Sequence, residues 1–82
     1  MVFIKELFPS ESAVIIKVDG MLDQESIPLL KNVCDYHLDW GKKIMLNLEG
    51  LINISREGRE FLNKGRDKYT FLNLPPFIRL DD

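Results

Sequence analysis

The 82-residue chain holds one cysteine and one histidine. The lone thiol, Cys34, excludes an internal disulfide and a cysteine-rich metal site, and is compatible with a reducing compartment. Basic residues are not in excess: 11 Lys and Arg stand against 13 Asp and Glu, a net charge of −2. That balance gives little attraction toward nucleic acid and none toward anionic lipid, so neither is expected as a partner. No run approaches the ~18 consecutive apolar residues of a spanning helix, and no direct membrane insertion is expected. The opening Met-Val-Phe-Ile-Lys-Glu meets charge too early for the apolar core of a signal peptide, which leaves a soluble, cytoplasmic protein as the expectation. Internal repeats, low-complexity tracts, a phosphate-binding loop and a dinucleotide fingerprint are also missing.

What is present supports one folded unit spanning residues 1–82. The chain is 45% hydrophobic and 29% charged, and its aromatic residues are spread along its length. A chain this short removes only about 60–65% of its unfolded surface from water, so its stability should be modest.

The segments read as strand, strand, helix, strand, helix, strand. Residues 2–8 are apolar with two central charges, as in an edge strand. Pro9-Ser10-Glu11-Ser12 is a turn cluster. Residues 13–19 form a second strand, with Val14, Ile16 and Val18 on one face and Ile15, Lys17 and Asp19 on the other. A connection so short predicts a hairpin. Asp23 or Ser26 can cap a first helix that stops at Gly41, with Pro28 tolerated near its start. Residues 44–48 read as a strand, and the continuous apolar run Ile44-Met45-Leu46 predicts that it is central and covered on both faces. Ser55 is placed to cap a second helix whose inner face reads Gly58, Phe61, Leu62, Gly65, Tyr69 and Leu72. Asn73-Leu74-Pro75-Pro76 ends it, and residues 77–80 predict a last strand. The expected architecture is an α/β fold: a mixed, largely parallel sheet of about four strands in the order β-β-α-β-α-β, with two main helices.

The first helix carries more apolar surface than a sheet requires. Ile27, Leu30, Cys34 and Leu38 form one stripe; Leu29, Val33, Tyr36 and Trp40 form a second beside it. The arc is roughly twice the ~100° of an ordinary surface helix. Either the helix is wedged between the sheet and another element, or the second stripe meets another chain, a homodimer being the simplest case.

Chemistry has little to work with. His37 sits beside the apolar arc and reads as structural, Cys34 as an inert core thiol, and Asp81-Asp82 as a solvated tail. No triad or metal site can be assembled; no cofactor, metal or catalytic residue is expected, and the chain reads as a non-enzyme. The loop Asn53-Ile54-Ser55-Arg56-Glu57-Gly58 is the best functional candidate, because it joins the carboxyl end of a strand to a helix N-terminus. The simpler reading gives Ser55 a capping role, sets Glu57 against the helix dipole and leaves Arg56 and Arg59 solvated.

The chain resembles the STAS family, named for sulfate transporters and anti-sigma-factor antagonists. The resemblance covers about residues 13 to 72. It begins in Val14-Ile15-Ile16-Lys17-Val18-Asp19-Gly20-Met21-Leu22-Asp23, where the family has a strand, a glycine, a hydrophobic residue and an Asp before the first helix. It continues through Lys43-Ile44-Met45-Leu46-Asn47-Leu48-Glu49-Gly50-Leu51-Ile52-Asn53-Ile54-Ser55-Arg56-Glu57-Gly58. There the family has a hydrophobic strand, a small loop, an apolar pair, then Asp-Ser-Ser/Thr-Gly and a helix. The resemblance implies a protein-interaction and regulatory module whose partner is an anti-sigma-factor-like or STAS protein. It implies a partner site at Asp23, Ser55, Arg56, Glu57, Gly58 and Arg59. Three departures stand out. Ser55 replaces the family's Asp; Arg56 and Glu57 replace its hydroxyl residues, one of them the serine that a kinase phosphorylates, so the serine phosphoswitch is expected to be absent. The chain also ends where most members continue into a further helix, which implies uncovered apolar surface. The alternatives are a scaffold that self-associates through Leu29, Val33, Tyr36 and Trp40, or a small domain that binds an anion or nucleotide at the second helix.

Overall fold

The computed structural model describes residues 1–80; the pair Asp81-Asp82, read as a solvated tail, lies outside the described residues. The elements are β1 (Val2–Ser10), β2 (Ala13–Leu22), α1 (Ile27–Asp39), β3 (Lys43–Asn47), β4 (Leu51–Ile54), α2 (Arg56–Lys64) and β5 (Tyr69–Leu72). Four strands lie in the order β1-β2-β3-β5, and β4 also pairs with β2. β1 pairs antiparallel with β2, and the other pairings are parallel. The sheet is therefore mixed and largely parallel, with β1 at an edge and β3 interior, as the sequence predicts.

The hairpin is longer than expected. Glu11-Ser12 alone forms the turn, and Pro9 is accommodated in β1. The register breaks between Leu7 and Ser10. An edge strand tolerates a residue without an amide proton, because no ladder bond is lost on its outer side.

Alternation places the core. Val14, Ile16, Val18, Ile44 and Leu46 are fully buried beneath the helices, together with Leu30 and Cys34 of α1 and Leu62 of α2. Their neighbours Ile15, Lys17, Asp19 and Met45 turn to the other face and are half-buried. At about 25 cal/mol per Å² of apolar surface, this shared face is the main source of stability.

Three expectations need correction. The sheet has five strands rather than about four, because residues 51–54 form a strand of their own against the end of β2. β4 begins after a step at Leu48-Glu49-Gly50, and the Gly20 amide donates to the Gly50 carbonyl at 2.9 Å there. The second helix does not reach Leu72. It stops at Lys64, capped by Gly65, whose amide donates to the carbonyls of Phe61 and Leu62. Tyr69 and Leu72 belong to β5, a Tyr-Thr-Phe-Leu strand rich in the aromatic and β-branched residues that suit a pleated surface. The Tyr69 ring packs against Gly65 so closely that a Cβ there would lie 2.5 Å from it. Residues 77–80 do not form a strand. Pro75 and Pro76 precede a turn in which the Ile78 amide donates to the Pro75 carbonyl, and Ile78 inserts into the core.

α1 follows its predicted limits, but its cap differs. Ser26 is the cap residue and its side chain makes no capping bond. Asp23 instead accepts from the Ser26 amide at 3.0 Å and from its hydroxyl at 2.8 Å, while the Asp23 amide donates back to Ser26 Oγ. Those bonds from Ser26 hold the Asp23 carboxyl below its usual pKa. Only the first apolar stripe faces the sheet. Leu30 and Cys34 are fully buried, Ile27 and Leu38 half-buried, and Leu29, Tyr36 and Trp40 are exposed. His37 is buried, and its Nε2 meets Glu6 of β1 while Phe8 and Tyr36 present ring edges to it. It ties α1 to the sheet edge, consistent with a structural role.

Cys34 illustrates how the core silences a reactive group. Burial pushes its thiol up to about 11, partly offset by a hydrogen bond with Tyr69. The thiolate is the reactive form, so the native protein should not react with a disulfide reagent at mildly alkaline pH. It should react stoichiometrically once unfolded in urea. Rapid labelling without denaturant would show that this part of the core opens.

Candidate functional site

The candidate loop lies at the carboxyl ends of β2 and β4. Strand β2 ends at Leu22, whose carbonyl accepts from the Ser55 amide at 2.9 Å. Ser55 has an extended backbone, and its Oγ accepts from the Gly58 amide at 3.0 Å. This is a side-chain N-cap, and it occupies the hydroxyl. Glu57 in the first turn and Lys64 in the last both complement the helix dipole.

Gly58 is buried where α2 crosses the end of β2. A Cβ at this position would lie 2.6 Å from the Leu22 carbonyl oxygen and 2.8 Å from Ile54 Cγ1. The glycine lets the helix start directly on the strand end, which makes the rim rigid. Arg56 and Arg59 are exposed, and Glu57 is half-buried. Arg56 stands 3.9 Å from both Glu57 and Glu60, too far for a hydrogen bond and worth little at an exposed surface.

Of the six residues expected at one site, Asp23 lines one cleft and Arg56 and Arg59 line another. Asp23 lines a cleft of about 290 Å³ with Met1, Val2, Glu25, Ser26 and Leu29. Arg56 and Arg59 line a second, of about 270 Å³, with Glu60, Asn63 and Arg79. Ser55 and Glu57 are half-buried, Gly58 is buried, and none of the three lines either cleft. Sequence reasoning missed Asn63 and Arg79. Asn63 was within reach, since it stands four and seven residues after Arg59 and Arg56, on the side of α2 opposite Gly58 and Leu62. Arg79 was not, because its placement depends on a segment read as a strand.

Among the described residues, no helix is long and apolar enough to cross a membrane. No group of three or more His, Cys, Asp or Glu side chains among them could hold a metal ion.

No family model matches the chain, and no curated protein matches it in sequence. Solved structures match it in shape. The anti-sigma factor antagonist SpoIIAA, in its unphosphorylated form, superposes with a TM-score of 0.72 at 16% identity, over 90% of this chain and 76% of that one. An anti-sigma factor antagonist from Mycobacterium paratuberculosis gives 0.71 at 13% identity, over 87% of this chain and 64% of that one. A DUF3478-family protein with a SpoIIAA-like fold from Shewanella loihica PV-4 gives 0.60 at 14% identity, over 90% and 68%. The fold is thus the one that the STAS resemblance implies, a SpoIIAA-like α/β sheet with two helices.

Proposed function

We propose that this chain is a regulatory module that binds a partner protein through the rim at residues 55–59, and that it works without a serine phosphoswitch. The observation that carries the reading is the seating of α2 on the end of β2. Gly58 packs against the Leu22 carbonyl, so the rim presents Arg56, Glu57 and Arg59 from a fixed base. A rigid, charged rim with no thiol or imidazole is suited to recognition rather than to chemistry. The SpoIIAA-like fold supports the same reading, since two of the solved structures that share it are anti-sigma factor antagonists.

Site-specific photo-crosslinking from position 56 in native host cells tests it. A single discrete adduct is expected, lost on Glu57→Lys or Arg59→Glu. No adduct, or one indifferent to both reversals, would defeat the proposal.

Ser55 supplies a separate check. Its Oγ is the cap acceptor for Gly58, and neither Arg56 nor Glu57 offers a hydroxyl. Incubation with an anti-sigma kinase and ATP should therefore leave the intact mass unchanged. Ser55→Ala should cost about 1 kcal/mol of stability in urea melts, as lost N-caps do. A clean gain of one phosphate on Ser55 would show that the hydroxyl is free for transfer.

A second reading, self-association, is favoured by one specific observation. Leu29, Tyr36 and Trp40 are all more than half exposed on one flank of α1.

A further inference from the structure

Strand β1 has one side of its ladder open. The Met21 amide donates to the Met1 carbonyl, and bonded pairs alternate along an antiparallel ladder, so Phe3, Lys5 and Leu7 bond to β2. Val2, Ile4 and Glu6 therefore carry their amides and carbonyls on the outer side, where no strand lies among the described residues. The Gly20 amide, opposite Val2, likewise turns away from β1, to the Gly50 carbonyl. A bulge or a proline commonly guards such an edge, but here the register break and Pro9 come only after Leu7. Residues 2–6 are left as a bare edge. Apolar side chains flank it on both faces of the sheet. Phe3 and Leu7 lie on the open face, opposite Asp19 and Ile15. On the helix side, Leu29 shares a cleft with Val2, and the rings of Phe8 and Tyr36 meet across His37, with Trp40 beyond.

We propose that a second copy of this chain pairs with the outer edge of β1, antiparallel and about a two-fold axis, so that two five-stranded sheets join into one. The proposal rests on the self-association reading and gives it a geometry. An axis perpendicular to the sheet keeps the faces in common, so both α1 flanks lie on one side of the joined sheet and both Phe3-Leu7 pairs on the other. An extended peptide would satisfy the edge but leave both apolar groups in water; a second copy brings the matching groups with it. The area is sufficient. Phe3, Phe8, Tyr36 and Trp40 are each more than half exposed. At about 150–250 Å² per aromatic side chain they offer on the order of 500 Å². Leu7, Leu29 and the strand edge bring this toward the ~800 Å² that each partner contributes to a stable complex. Charge selects the register. Centred on Ile4, the pairing sets Ile4 opposite its own copy, Val2 opposite Glu6 and Phe3 opposite Lys5, and every outward amide and carbonyl of Val2, Ile4 and Glu6 finds a partner. Centred on Lys5, it would set two ammonium groups opposite each other, which is destabilising.

Sedimentation of the full chain, amide hydrogen exchange below and above the concentration at which it associates, and disulfide trapping test it. The Val2, Ile4 and Glu6 amides should exchange quickly in dilute protein and become protected in the dimer. The Phe3 and Lys5 amides, already bonded to β2, should change little. In a mixture of Phe3→Cys and Lys5→Cys chains, the two variants should cross-link to each other faster than Lys5→Cys cross-links to itself; Cys34 is buried and does not compete. Ile4→Pro removes one outward amide from each copy and no bond to β2. It should raise the dissociation constant at least about thirtyfold, as for two hydrogen bonds lost per dimer. If that variant does not fold, exchange and trapping on the unaltered backbone decide. A chain that sediments only as a monomer overturns the proposal together with the self-association reading. A dimer whose Ile4 and Glu6 amides stay unprotected, or in which Lys5→Cys traps mainly itself, overturns the β1 pairing alone and leaves the α1 flank as the interface.

Discussion

Gly58→Ala should destabilise the protein by about 2 kcal/mol, although alanine is the better helix former by about 1 kcal/mol. The added Cβ would sit 2.6 Å from the Leu22 carbonyl oxygen and 2.8 Å from Ile54 Cγ1. Neither neighbour gives way easily. The Leu22 carbonyl is backbone and already accepts from the Ser55 amide, while Leu22 and Ile54 are paired in the sheet. The helix must therefore lift from the strand end, which breaks the Ser55 cap as well. For a domain of this length, total stability is on the order of 4–12 kcal/mol, so the loss is a large fraction of it. Gly58→Val should cost more, since its branched side chain adds volume at the same contact. Gly41→Ala provides the contrast: its φ is +74°, but no atom lies within 4 Å of the added carbon. That variant should lose only the roughly 1 kcal/mol of a strained helix terminus. Urea unfolding of the three variants checks the order. Stability unchanged or raised in Gly58→Ala would mean that α2 does not seat on β2 as described.

The parts of this fold legible in the sequence are those where one period repeats for long enough. Val14, Ile16 and Val18 alternate through a ten-residue strand, and the wide arc of α1 runs through thirteen residues. The failures fall on short elements. Tyr69 and Leu72 continue the spacing of Gly58, Leu62 and Gly65, so a helix face could be read straight through a helix that ends at Lys64. In the structure, Tyr69 and Phe71 follow a strand period instead, and four residues cannot discriminate the two periods. Residues 51–54 gave only apolar character, because β4 is defined by the end of β2 it lies against. The site divides in the same way. The Ser55 cap is a local device and was readable. The meeting of Arg79 with Arg56 and Arg59 is tertiary, made when Ile78 enters the core after two prolines.

Trp40→Ala should weaken self-association by about 2 kcal/mol or more, roughly thirtyfold in the dissociation constant, if the outer flank of α1 is an interface. Leu29, Tyr36 and Trp40 are 52%, 61% and 71% exposed, and Val33 is half-buried between them. Phe8 of β1, 58% exposed, extends the flank across His37, whose ring lies 5.8 Å from Phe8 and 5.2 Å from Tyr36. A C-terminal segment, residues 73–82, folded back over this stripe would instead cover it within the chain. Residues 73–80 do not: Ile78 enters the core, and Arg79 lines the cleft of α2. Exposed patches of contiguous aromatic and aliphatic side chains usually mark interfaces, and tryptophan is enriched among the anchors at their centres. A two-fold pairing of α1 flanks would bury both copies of the patch at once. Trp40 is the only tryptophan, so its fluorescence reports the event directly. Dilute protein should emit as a solvated indole, and emission should shift to the blue over the concentration range in which sedimentation shows a dimer. Because Trp40 supports no core contact, its replacement should leave the melting temperature of the monomer nearly unchanged. A wild-type chain that stays monomeric at high concentration, or a Trp40→Ala variant that melts early while associating normally, would remove α1 as the interface.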